Sequence, residues 1–85
     1  MTKSIRKSLI ELINSQDYEI SQILNDGPEE PYEGCEHSLL MAIEDDSTKV
    51  EVLKSSNTLC KPNVKTYMVT YKTLWGIFKI LIWEN

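Results

Sequence analysis

With 85 residues, the chain is the size of one domain. Its 41% hydrophobic and 26% charged residues exclude a disordered tail, and its three Gly and three Pro exclude a low-complexity segment. The formal net charge of −4 excludes little by itself, but its distribution along the chain is informative.

Residues 3–15 read as an amphipathic helix. Ile5, Leu9, Leu12 and Ile13 recur at the spacing of one helical face, while Lys3, Arg6, Lys7 and Glu11 take the others. Thr2 or Ser4 supplies a candidate N-cap, and Asn14-Ser15 with Asp17 a stop. Glu11 interrupts Ser8–Ile13, so no secretory apolar run follows the basic start, and a cytoplasmic location is expected.

Residues 18–24 begin with strand-like alternation, and Asn25-Asp26-Gly27-Pro28 supplies turn chemistry. Pro28 to Gly34 reads as a loop, because Pro28 and Pro31 cannot donate to a sheet. Ser38 to Lys54 is expected to form a β-hairpin turning at Asp45-Asp46-Ser47-Thr48. Its second strand would place Val50 and Val52 on one face.

Ser55 to Asn63 is a polar connection. Val64 to Tyr71 alternates again, with Lys65, Tyr67, Val69 and Tyr71 on one face, and Lys72-Thr73 is a candidate turn. Leu74 to Trp83 favours a strand by its Trp, Ile and Phe, although Leu74, Ile77, Phe78 and Leu81 also satisfy helical spacing. Lys79 interrupts this run, the longest apolar one. It falls short of the roughly 20 residues of a spanning helix, so no membrane segment is expected.

The sum is an α+β domain covering residues 1–85, with an N-terminal helix packed on a small, mostly antiparallel sheet of four to five strands. The last strand is apolar on both faces, and one helix covers only one. A tightly rolled sheet, self-association or a partner must bury the second. Trp75, Ile77, Leu81 and Trp83 are the candidate self-association residues, which would allow a homodimer or a structural subunit.

Between Asp26 and Asp46 stand eight acids and no Lys or Arg: Asp26, Glu29, Glu30, Glu33, Glu36, Glu44, Asp45 and Asp46. This stretch carries −8 and the remainder +4. Clustered like charges repel, and a basic partner surface would relieve the repulsion and steer encounter. The alternative is a solvated loop that keeps a small protein soluble. Phosphate backbones require Lys and Arg, so this segment argues against direct DNA binding.

Cys35, His37 and Cys60, with Glu33 or Glu36 as a fourth ligand, form the one cluster to test for metal. Its C-x-H spacing with a distant cysteine lacks the paired pattern of structural zinc, so no metal or cofactor is expected. Cys35 and Cys60 could form one disulfide, but with no secretory signal expected they read as two free thiols in a reducing compartment. His37 has no assignable nucleophile and orienting partner, and Gly27, Gly34 and Gly76 are isolated, so no catalytic residue is expected. Lys65, Tyr67 and Tyr71 could stack on single-stranded RNA, or form an ordinary strand surface.

In size, charge and layout the chain resembles phage-borne anti-defence inhibitors, including anti-CRISPR proteins, and bacteriocin immunity proteins. No motif matches, so the resemblance carries over no residue. It implies an inhibitor whose acidic face docks on the basic, nucleic-acid-binding surface of a partner protein.

Overall fold

The computed structural model describes residues 2–26, 36–73 and 76–85. Its elements are α1 (Thr2–Ser15), β1 (Tyr18–Asp26), α2 (Glu36–Glu44), β2 (Lys49–Val52), β3 (Thr66–Thr73) and β4 (Gly76–Glu84). The strands form one antiparallel sheet in the order β1-β4-β3-β2, so the apolar last strand sits inside the sheet. This is the expected α+β arrangement, an N-terminal helix on a four-stranded antiparallel sheet.

Period-2 alternation assigns the two sheet faces. Val50, Tyr67, Val69, Tyr71, Phe78, Ile80 and Ile82 point to the inner face. There they form one core with Leu9 and Ile13 of α1 and Leu39 and Ile43 of α2. Phe78 and Tyr71 stack with ring centres 5.4 Å apart.

The hairpin expected from Ser38 to Lys54 is replaced by α2 and β2, and β2 pairs with β3. Leu39-Leu40-Met41-Ala42 are good helix formers, and Leu39 and Ile43 are spaced one turn apart on the buried side. The poor helix formers Asp46, Ser47 and Thr48 lie beyond the helix end, so they do not oppose it. Ser4 lies inside α1 and is not its cap. Lys72 and Thr73 belong to β3 rather than to a turn, and Thr73 pairs with Gly76.

Two left-handed residues shape the connections. Gln16 (φ 63°) ends α1, its amide donating to the Ile13 carbonyl at 3.0 Å. Asn63 (φ 64°) sits in the 53–65 segment, and asparagine tolerates that region better than most residues.

That segment supplies cover for the outer face. The Leu53 amide donates to the Thr66 carbonyl, and the Lys61 amide to the Thr66 hydroxyl at 3.0 Å. Leu53, Thr66 and Leu81 are buried there, and the Lys61 ammonium lies 4.6 Å from the centre of the Trp83 ring. The second face of β4 is thus closed at one end by the chain's own connection, a route that composition and alternation do not reveal.

Candidate functional site

The acidic stretch starts at the last residue of the edge strand β1 and ends at Asp46, just past α2 and short of the opposite edge strand β2. Glu29, Glu30, Glu33 and Cys35 lie outside the described residues, as does Trp75. The five described acids, Asp26, Glu36, Glu44, Asp45 and Asp46, are all exposed.

The fold brings four of them to α2 and leaves one apart. Glu36 opens α2, where a carboxylate suits the positive end of the helix dipole. Its Oε2 accepts a 2.7 Å hydrogen bond from the Tyr18 hydroxyl. Glu44, Asp45 and Asp46 stand at the other end of α2, about 12 Å further along at 1.5 Å per residue. Asp26 closes β1, eight residues and roughly 26 Å from Tyr18. It pairs with Ile77, on the outer side of the sheet. Among the described residues, Glu36, Glu44, Asp45 and Asp46 therefore bracket α2, and Asp26 stands apart from them.

Between the carboxylates, α2 exposes His37 and Met41, the latter 59% accessible. Four residues separate them, so they share one side of the helix.

The acidic end of α2 is held by the chain's single arginine. The Arg6 guanidinium donates to the Ile43 carbonyl, to the Asp45 carbonyl at 2.9 Å and to the Thr48 carbonyl at 3.0 Å. The last turn of α2 has no basic residue of its own, so α1 supplies the cation that its terminal carbonyls favour. Asp45 Oδ1 accepts from the Ser47 amide at 2.9 Å and from the Ser47 hydroxyl at 2.8 Å. These bonds, the amide foremost, with a smaller contribution from Arg6, hold the Asp45 carboxyl below its ordinary range. Tyr18 is pushed up to about 12, first by burial and then by the hydrogen bond and charge of Glu36.

Sequence reasoning missed Arg6, whose partners lie 37 to 42 residues away. The usable signal was its being the lone arginine among eight lysines, since only Arg has a planar fork that reaches several carbonyls.

The RNA-stacking platform is overturned. Tyr67 and Tyr71 are each 4% exposed and face the helices, so neither ring can receive a base. The self-association set is also corrected, because Leu81 is 2% exposed and unavailable, while Ile77 and Trp83 are half-buried.

Cys60 is half-buried and lies against the outer-face residue Thr66, at 3.8 Å from its hydroxyl, whereas His37 is on α2 across the sheet. The two cannot act together. Among the described residues no group of three His, Cys, Asp or Glu gathers as a metal site. No described helix is long and apolar enough to cross a membrane.

No protein-family model matches the chain, and neither a curated protein nor a solved structure gives a match.

Proposed function

We propose that this is a small acidic binding protein that docks the α2 side of the molecule on a basic, nucleic-acid-binding surface of a partner protein, inhibiting it as an anti-defence protein would. The observation that supports this reading is the exposure of Glu36, Glu44, Asp45 and Asp46 on a helix end-stopped by carboxylates, within a stretch that has no Lys or Arg. Met41, exposed between them, offers an apolar anchor inside a charged rim, the common layout of a protein interface. Arg6 and Tyr18 fix α2 at its two ends, so the carboxylates are presented on a rigid element.

The test is affinity capture from the cytoplasm of host cells, with and without nuclease, using the natural chain and the triple variant E36K/E44K/D46K. The proposal expects a nuclease-resistant protein partner that the variant fails to retain, with association at least tenfold slower at low salt. Equal capture by the variant rejects the acidic docking surface. A circular-dichroism spectrum like that of the natural chain shows that the fold survived.

A further inference from the structure

We propose that the outer face of the sheet is a second binding surface, of opposite sign, that holds the phosphate backbone of a single-stranded nucleic acid. The inference rests on the reading above in one respect, since a partner with a nucleic-acid-binding surface brings nucleic acid within reach. It concerns a different face and stands on a different observation. Residues 52–83 contain five lysines and no Asp or Glu, the reverse of the acidic stretch before them.

The strand register converts that sequence bias into a surface. Lys49, Thr70 and Lys79 occupy one cross-strand row on β2, β3 and β4. They share the outer face, because Val50, Val69, Tyr71, Phe78 and Ile80 on either side of them point into the core. Lys49 and Lys79 are thus two strand spacings apart, about 10 Å. Lys72 lies one diagonal step from Lys79, about 7–8 Å away. Lys49 and Lys72 are exposed, and Lys79 is half-buried along its stem. Lys54, exposed, and Lys61, over Trp83, extend the positive charge onto the 53–65 segment.

This end of the face is the part that the 53–65 segment does not close. Leu24 is 40% exposed there, and Thr70 and Ile77 are half-buried. A strip of lysines, a threonine hydroxyl and apolar side chains on consecutive strands suits a single strand lying across the sheet. Asp26 and Glu51 border the row, paired with Ile77 and Met68, and limit its affinity. The acidic stretch counts against direct nucleic-acid binding only where it lies, and its described acids other than Asp26 belong to the α2 side of the sheet.

The experiment is fluorescence anisotropy of labelled twelve-nucleotide oligo-U and oligo-dT with the full chain between about 20 and 200 mM salt. Binding is expected at low salt, with log K falling against log salt at a slope near −2, the value for about three phosphate contacts. The variant K49A/K72A/K79A should lose at least tenfold, K7A on α1 less than twofold, and D26N/E51Q should gain. Oligo-U bound more tightly than oligo-dT assigns RNA as the ligand, and the reverse order assigns DNA. Absence of binding at low salt, or a triple variant that binds like the natural chain, overturns the proposal. So does concentration-dependent self-association that disappears in the triple variant, since the lysines would then be meeting a second copy. The E36K/E44K/D46K variant should keep oligonucleotide binding while losing its protein partner, so the two proposals fail separately.

Discussion

The inner face of the sheet gives its apolar side chains to a continuous core under two helices, whereas the outer face is closed at one end and open at the other. Ile80 and Ile82 are fully buried on the inner face, while the outer-facing Ile77 of the same strand stays half-exposed. Burial within β4 is therefore set by what the rest of the chain lays over each face, and hydrophobicity alone does not predict it. The open end keeps Lys49, Lys72 and Lys79 with Asp26 and Glu51 at its border, and the helix-covered side keeps carboxylates on α2 with Arg6 and Lys7 on α1, so the fold separates the two charge types only in part.

The largest test of this contrast compares neighbours in β4. Phe78→Ala removes an inner-face ring 1% exposed and should cost about 3–5 kcal/mol in a denaturant titration. Ile77→Ala, one residue earlier on the open side, should cost no more than about 1 kcal/mol. Similar losses would mean that the outer face is as fully packed as the inner one. The proposed oligonucleotide surface would then be closed.

The second test attacks the helical cover. Arg6→Ala strips the cation from the end of α2, and charge-assisted bonds of this kind are each worth about 1.5–3 kcal/mol when partly buried. The three bonds act as a unit, so a total loss of about 2–3 kcal/mol is expected, with reduced helical circular dichroism. Arg6→Lys should recover less than half, because an ammonium keeps the charge and loses the fork. Full recovery by lysine would show that charge near the dipole, rather than bonding to Ile43, Asp45 and Thr48, holds α2.

How much of this was legible in the sequence depends on the distance over which each feature is decided. The α1 stripe and the alternation of β2, β3 and β4 are local patterns, and they gave element types correctly. Helix α2 has only nine residues and a tail of poor helix formers, so its propensity was diluted by the turn that follows it. The faces of β3 were separated correctly, but which of them is buried was not legible, because tyrosine serves a core as well as a surface. The acidic bias was plain, yet Asp26 and Glu36 ended on different sides of the sheet. Register and a bulge between Gln22 and Leu24 decide where β1 points its last side chains.

A smaller effect is expected at the other end of α2. The Tyr18 hydroxyl donates to Glu36 only while protonated, and its pKa is raised above the ordinary value near 10. A raised pKa means that the stabilisation is fully present below about pH 10 and disappears as pH climbs through about 12. Tyr18→Phe should cost at most about 1 kcal/mol at pH 7, because the pair is exposed to solvent. The difference between variant and natural chain should vanish toward pH 12, read as melting temperature against pH. A difference that stays constant to that pH would show that Tyr18 acts through packing alone.

The smallest expected change is a gain, and it probes the chain where neither face is involved. Gln16 ends α1 with φ 63°, a region that a β-carbon disfavours and glycine enters freely. Gln16→Gly relieves that strain but loosens the unfolded chain, and the two effects oppose each other. A net stabilisation of about 0.5 kcal/mol is expected in urea unfolding. It should add to the Phe78→Ala loss without coupling, since Gln16 is exposed and does not belong to the core. A loss on substitution would mean that the Gln16 side chain contributes more to the α1–β1 junction than its backbone angle costs.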